Sequence, residues 1–203
     1  MPTNLTEEER SQVQAGIKEK YVQVAALGAG CGFQYPTGKK GLQQQAYPQE
    51  IIKKIPPAIL EAFCGVGNPF SLGPINPGES VLDIGCGTGV DSLVAAHLVG
   101  PTGKVVGLDL TAEMINRARM HLSQVGLANV VFQVGEAESL PFEDNEFEVI
   151  ISNGVLNLVV DKVKALSEVF RVLKPGGRLL LADQVLVGEL PQDIKSRVEN
   201  WAR

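Results

Sequence analysis

One stretch decides the fold, namely Val81-Leu82-Asp83-Ile84-Gly85-Cys86-Gly87-Thr88-Gly89. It begins as a short apolar run, which is typical of a buried strand, and it ends in a glycine-rich turn. A helical face marked by Val90, Leu93, Val94 and Leu98 follows immediately. A strand, a glycine-rich turn and a helix in direct succession predict the first unit of a parallel α/β sheet.

The same alternation of apolar strands and amphipathic helices continues to about residue 184. Further strands are predicted at Val105–Leu108, Val130–Val134, Val149–Ser152 and Arg178–Ala182. Further helical faces run from Ile115 to Val125 and from Val163 to Leu173. Strands that are apolar on both sides and separated by helices predict a doubly wound, mainly parallel sheet with helices on both faces. Such sheets bind ligands at the carboxyl ends of their strands.

The chain is predicted to divide into an amino-terminal lid with a linker at residues 1–79 and a ligand-binding core at residues 80–203. Thr6-Glu7-Glu8-Glu9 has the spacing of a capping box, which marks the start of a helix. The predicted order is a helix from Thr6 to about Tyr21, a glycine-rich loop at Gly28–Gly41, helical turns at Pro48–Cys64 and a linker at Gly65–Glu79.

The composition is normal for a soluble globular enzyme. Hydrophobic residues make up 44% of the chain, charged residues make up 20%, and the formal net charge is −5. Since no long cluster of Lys and Arg is present, binding to nucleic acid or to an anionic membrane surface is not expected. Because no apolar run reaches the length of a membrane span and Met1–Arg10 lacks the features of a signal peptide, we expect a cytoplasmic protein.

The glycine-rich turn limits the choice of ligand. Gly85, Gly87 and Gly89 follow a Gly-x-Gly-x-Gly spacing. A nicotinamide dinucleotide site prefers a small third residue one position later, which is Val90 here. Asp83 lies just before the turn, and a carboxylate there suits a ligand with an ammonium and a sulfonium group. The spacing therefore favours the methyl donor S-adenosylmethionine over a dinucleotide.

Polar residues follow the other strands as well. Asp109 ends the second strand and can accept hydrogen bonds from both ribose hydroxyls, or it can cap the next helix, a role that Thr111 also suits. Gly135-Glu136-Ala137 can read the adenine edge with an acid and the next backbone amide. Asn153 follows the fourth strand, close to the methionine part of the donor. Met114 lies either against the nucleoside or in the core.

These motifs together resemble the class I S-adenosylmethionine-dependent methyltransferases, above all residues 82–89 with Leu140-Pro141-Phe142 and Leu173-Lys174-Pro175-Gly176-Gly177. Finer details resemble the arsenite methyltransferase branch, at Cys64–Pro69, Val99–Lys104, Ile150–Leu158 and Gly188–Pro191. The resemblance implies transfer of a methyl group from S-adenosylmethionine to a small acceptor, arsenite or another soft, thiophilic species. The predicted cofactor-binding residues are Asp83, Gly85, Cys86, Gly87, Thr88, Gly89, Asp109, Leu110, Met114, Gly135, Glu136, Ala137 and Asn153.

The resemblance also gives two cysteines a predicted role. Arsenite enzymes hold trivalent arsenic with soft sulfur ligands. Cys31 and Cys64 occupy places that resemble the two amino-terminal cysteines of that branch, and they are the predicted catalytic residues. The next expected cysteine is replaced by Gly154, and a further one has no counterpart before Arg203. The thiol of Cys86 is expected to be incidental, and no metal site is predicted because the cysteines and histidines lack zinc spacing.

Two questions stay open at the level of sequence. Enzymes of this type usually add two strands after the fifth, so the chain is predicted either to be truncated or to borrow a surface from a partner, a homodimer being one such arrangement. A protein that binds S-adenosylmethionine or S-adenosylhomocysteine without turnover is the alternative function. A nicotinamide-dependent oxidoreductase is disfavoured by Val90 and by the lack of an evident Tyr-x-x-x-Lys pair.

Overall fold

The computed structural model describes residues 5–27 and 33–185. Within these ranges it contains one sheet of five parallel strands, β1 (Ser80–Ile84), β2 (Lys104–Asp109), β3 (Val130–Val134), β4 (Phe147–Asn153) and β5 (Leu173–Ala182). The strand order is β3-β2-β1-β4-β5, so the direction of winding reverses between β1 and β4. The predicted doubly wound parallel sheet is confirmed, and its switch point lies at the end of β1.

The described helices alternate with these strands and precede them. They are α1 (Glu7–Leu27), α2 (Gly38–Gln44), α3 (Gln49–Ile52), α4 (Pro57–Leu60), α5 (Val90–Val99), α6 (Ala112–Val125) and α7 (Lys162–Val172). The capping box forms at the start of α1, since the Thr6 amide donates to Glu9 Oε2 at 2.7 Å and the Glu9 amide donates to Thr6 Oγ1 at 3.2 Å. The first helix continues six residues past Tyr21, the predicted end.

Two predicted irregular segments contain helix. Gly38–Gly41, predicted as loop, belongs to α2, where the Gly38 amide donates to the Phe63 carbonyl at 2.7 Å. The predicted linker Gly65–Glu79 contains a 3-10 turn at Pro69–Ser71 that contacts β5. Both differences come from contacts with distant parts of the chain, which local glycine and proline signals do not report.

The central strands β1, β2 and β4 are mostly buried, which is why they read as continuous apolar runs, whereas Val131 and Val134 of β3 are exposed. On one face, Leu82 and Ile84 of β1 pack with Val169 and Val172 of α7, and all four are buried. Helices α5 and α6 supply buried residues to the clusters on the other face.

Residues of the amino-terminal segment share one of these clusters. Leu42, Tyr47 and Phe63 pack with Leu93 and Val94 of α5. All five side chains are at most 3% exposed. The segment therefore covers α5 directly, and the division of the chain at residue 79 stays a prediction.

Helix α1 lies across the carboxyl ends of the strands. Near its start, Val13 and Ile17 pack against Val160, which follows β4. Near its end, Val24 and Ala25 pack against Met114 of α6, and the guanidinium of Arg117 donates to the Ala25 carbonyl. Among the described residues, no helix combines the length and the apolar character that a membrane span requires.

Candidate functional site

A cleft opens at the carboxyl ends of the strands, beneath α1. Its floor is formed where β1 to β4 end, at Gly85, Asp109, Gly135 and Asn153. Its roof is formed by Gln14, Ile17 and Tyr21 of α1. This is the position that the topology of a doubly wound sheet predicts for a ligand.

The cleft brings together most of the predicted cofactor-binding residues. Those that line it are Gly85, Gly87, Asp109, Leu110, Gly135, Glu136, Ala137 and Asn153. Cys64, a predicted catalytic residue, lines it as well. Cys31 lies outside the described residues, as do Gly188–Pro191.

The other predicted cofactor-binding residues do not line this cleft. Asp83, Cys86 and Thr88 line a smaller neighbouring cavity. Met114 is fully buried against Val24 and Ala25 of α1, which is the core position that the sequence left open. Gly89 lines neither cavity; a Cβ atom there would lie 2.6 Å from the Phe132 ring, so this glycine lets helix and sheet pack closely.

Backbone amides hold the Asp109 carboxylate at the edge of the cleft. The Gly87 amide donates to Oδ2 at 2.9 Å, and the Thr111 amide donates to Oδ1 at 2.8 Å. Burial raises the pKa of Asp109, and these two hydrogen bonds oppose the rise. Each oxygen keeps a further lone pair, so the carboxylate can accept hydrogen bonds from two ribose hydroxyls. Glu136, an exposed residue, lines the same cleft.

The smaller cavity contains two buried carboxyl groups, Asp83 and Asp91. Asp83 Oδ2 accepts a hydrogen bond from Ser92 Oγ at 2.6 Å. Asp91 Oδ1 accepts one from the Tyr47 hydroxyl at 2.8 Å, and Oδ2 accepts one from Asn153 Nδ2 at 2.9 Å. Burial raises the pKa of Asp91 to about 6, and burial together with Asp91 raises the pKa of Asp83.

These two acids have no cationic protein partner in the part of the chain that the structure describes, because none of its ion pairs involves either of them. A buried negative charge that has hydrogen-bond donors but no positive charge beside it is costly, so a cation in this cavity would be stabilised. Sequence reasoning missed Asp91. The signal was available, since Asp91 and Ser92 are polar residues at the start of a helix whose other residues, apart from His97, are apolar.

Asn153, which was predicted to lie close to the methionine part of the donor, also holds a neighbouring segment of the chain through its side-chain amide. Its Oδ1 accepts hydrogen bonds from the Val66 amide at 2.8 Å and from the Gly67 amide at 3.1 Å, and its Nδ2 donates to the Gly67 carbonyl at 2.8 Å. A Cβ atom at Gly65 would lie 2.2 Å from Asn153 Nδ2, so only glycine fits there. Asn153 lines the cleft, and its amide anchors residues 65–67 beside it.

Cys64 lies where the cleft and the smaller cavity meet. Its carbonyl accepts a hydrogen bond from the Tyr35 hydroxyl at 2.9 Å. Burial, together with the negative charges of Asp109 and Asp91 and against the opposing charge of Lys20, raises the pKa of the Cys64 thiol to about 12. The thiol is therefore protonated at neutral pH. The described residues contain no group of three metal-ligating side chains arranged to hold a metal ion.

The protonated state of Cys64 predicts slow alkylation. Because the thiolate is the reactive form, we expect iodoacetamide to label Cys64 at pH 7 about 100-fold more slowly than a free cysteine, after allowing for the higher intrinsic reactivity of a basic thiolate. The labelling rate should keep rising up to pH 10. Mass spectrometry of the peptide that contains Cys64, sampled over time, measures the rate. Fast labelling at pH 7 that levels off near pH 9 would contradict the assigned state.

Comparison with known proteins identifies the family. The model of a methyltransferase domain family matches residues 75–203. An arsenite methyltransferase of Halobacterium salinarum is 32% identical over 95% of this chain and 52% of its own length. One from Aquipseudomonas alcaligenes is 40% identical over 73% of this chain and 45% of its own. The chain thus spans about half the length of these curated relatives.

A solved structure shows the same relationship in three dimensions. The crystal structure of an arsenic(III) S-adenosylmethionine methyltransferase from Chlamydomonas reinhardtii superposes with a TM-score of 0.65 at 38% identity. The match covers 73% of this chain and 52% of that one. The family prediction is confirmed, as is S-adenosylmethionine as the cofactor of the family. The family match and the cleft at the ends of parallel strands agree, and this chain belongs to the class I S-adenosylmethionine-dependent methyltransferases, near the arsenite methyltransferase branch.

Proposed function

We propose that the chain forms the donor-binding part of a methyltransferase that moves a methyl group from S-adenosylmethionine to a small acceptor. The observation that carries the proposal is the cleft itself, where Asp109 and Glu136 lie beside the glycine-rich turn. The residues fit the donor. Carboxylates suit its ribose and its positive charges, and at Gly87 the backbone is open, with nothing within 4 Å of where a Cβ atom would lie.

In this proposal each part of the cleft has a task. Asp109 binds the ribose, Glu136 and the following amide bind the adenine edge, and the smaller cavity with Asp91 takes the methionine end. The bound donor supplies an electrophilic methyl group on a sulfonium sulfur. Ile17 and Tyr21 of α1 exclude water above it. Displacement in line needs alignment and a dry site more than a strong acid or base, so these tasks suffice for the donor side.

For the acceptor we propose arsenite or another soft, thiophilic species, with Cys64 as a thiol at the cleft and Cys31 as its predicted companion. The similarity to arsenite enzymes supports this choice. Gly154, where that branch has a cysteine, has φ +72, and a Cβ atom there would lie 3.1 Å from Val66. A cysteine would be strained in this backbone conformation. Gly154 and the protonated Cys64 thus favour a second candidate, a donor-binding protein without turnover.

Calorimetric titration of the full chain with S-adenosylhomocysteine tests the donor site. We expect saturable binding and a rise in melting temperature, because a ligand that binds the folded state stabilises it. An Asp144→Asn variant is the matched control for carboxylate variants of the cleft and should bind normally, since Asp144 is exposed and pairs with Arg171 away from the cleft. Absence of both heat and thermal shift at millimolar ligand would remove the proposal.

Product formation separates the two candidates. Incubation with radiolabelled S-adenosylmethionine and arsenite in the presence of a thiol should yield methylated arsenic if the chain is an active enzyme. Cys64→Ser and Cys31→Ser variants then report whether either thiol takes part. Donor binding without product from arsenite or from thiol acceptors would favour the binding protein. A cytoplasmic location and a homodimer stay predictions.

A further inference from the structure

Tyr47 lies outside the main cleft, but its hydroxyl reaches Asp91, which lines the smaller cavity. Its side chain is 1% exposed. Its ring makes edge contacts with Phe63 and Phe70, at centroid distances of 5.2 and 5.7 Å. The ring is therefore fixed by packing, and the hydroxyl is held at a defined point among polar groups.

The hydroxyl of Tyr47 joins three parts of the chain. It lies 2.8 Å from Asp91 Oδ1, 3.1 Å from the Gly67 carbonyl and 3.1 Å from Asn153 Nδ2. A hydroxyl has one proton to donate, and the shorter contact to a carboxylate is the stronger one. Tyr47 thus donates to Asp91. The two protons of Asn153 Nδ2 serve its shorter contacts, to the Gly67 carbonyl at 2.8 Å and to Asp91 Oδ2 at 2.9 Å.

The side-chain hydrogen bonds that reach the Asp91 carboxylate come from Tyr47 and Asn153. The other titratable groups that interact electrostatically with Asp91 from neighbouring elements are Asp83 and the thiols of Cys64 and Cys86. None of these supplies a positive charge. Burial raises the pKa of Asp91 to about 6, and the bonds from Asn153 and Tyr47 hold it down against that rise.

We propose that Tyr47 is a positioning residue of the donor site, whose hydroxyl keeps Asp91 ionised and so preserves a negative charge for the cationic donor. The inference rests on the proposed donor binding and adds a residue 44 positions away from the carboxylate that it controls. Tyr47 itself lines neither cavity. It acts through Asp91.

The pH dependence of donor affinity tests this role. Dissociation constants for S-adenosylhomocysteine are measured from pH 5 to pH 8. The unmodified chain should lose affinity as pH falls through about 6, where Asp91 takes up a proton. In Tyr47→Phe one hydrogen bond to the charged form is gone, so the loss should begin about one pH unit higher. At pH 6.5 the variant should bind about threefold more weakly, and at pH 8 nearly normally.

Tyr35→Phe is the matched control. It also removes one phenol hydroxyl, which donates to the Cys64 carbonyl at 2.9 Å. It leaves both hydrogen bonds to Asp91 in place, so its pH profile should superpose on that of the unmodified chain. A loss of packing alone would weaken binding at every pH and would not move the profile.

Asp91→Asn provides a second line of evidence. This variant should bind S-adenosylhomocysteine weakly, with an affinity that does not change between pH 5.5 and 7.5. Adding Tyr47→Phe to it should lower the affinity by less than about twofold, because the effects of residues that act through one group are not additive. Thermal unfolding checks that each variant is folded. An unshifted profile in Tyr47→Phe, or full additivity with Asp91→Asn, would overturn the role of Tyr47. Absence of binding to the unmodified chain would instead refute the donor site.

Discussion

Asp109→Asn is expected to weaken binding of S-adenosylmethionine by at least about 100-fold, because two hydrogen bonds from ribose hydroxyls to a charged group are lost or weakened. The amide keeps the shape of the carboxylate but offers only one acceptor oxygen. One of the amides of Gly87 and Thr111 also loses its partner. We therefore expect the free energy of unfolding to fall by about 1–2 kcal/mol.

Calorimetric titration and denaturant unfolding measure the two effects separately. The Asp144→Asn variant makes the same chemical change at an exposed position and should change neither quantity appreciably. Equal donor affinity in Asp109→Asn and in the unmodified chain would show that the ribose is not held at the end of β2.

Gly85→Ala is expected to lower the free energy of unfolding by about 2–4 kcal/mol and to abolish donor binding. Gly85 has φ +70, a conformation that costs any other residue energy, and its new Cβ atom would lie 2.2 Å from Val155 Cγ2. Both residues line the cleft, so relief of this contact would displace the cleft wall. Strain and steric conflict therefore add in this variant.

Gly87→Ala separates these two terms. Gly87 has φ +52, but nothing lies within 4 Å of the Cβ atom that it would gain, so it should lose only about 1 kcal/mol of stability. A second change, Val155→Ala, should restore part of the stability of Gly85→Ala because it removes the clashing methyl groups. Thermal and denaturant unfolding of the three variants provide the comparison. Equal stability of Gly85→Ala and Gly87→Ala would contradict the steric explanation.

The sequence predicted the sheet well because its signals are local. The apolar run from Val81 and the glycine spacing that follows are read from adjacent residues, and β1 to β4 lie within two residues of their predicted bounds. The start of β5 was predicted too late, since Leu173 already pairs with Phe147 across an irregular register. The carboxyl ends of parallel strands lie at the same edge of a sheet, so the sequence also predicted that the polar residues following the strands lie close together.

Contacts between distant residues explain what the sequence could not predict. Met114 is core because α1 covers it, and α1 lies about ninety residues earlier in the chain. The amide of Asn153 binds Val66 and Gly67, 87 and 86 positions away. Tyr47 showed no pattern that would link it to a carboxylate. The roles of the individual site residues in binding and catalysis stay predictions.

Because α1 covers the cleft, the region that matches the family model does not contain every residue that lines the cleft. The family model begins at residue 75, whereas Gln14, Ile17 and Tyr21 come from the first described helix. A fragment cut at residue 75 would expose the cleft to bulk water and would expose the buried residues of α5 that pack against the amino-terminal segment. Any shortened version intended to retain the pocket must therefore keep the chain from its opening helix onward.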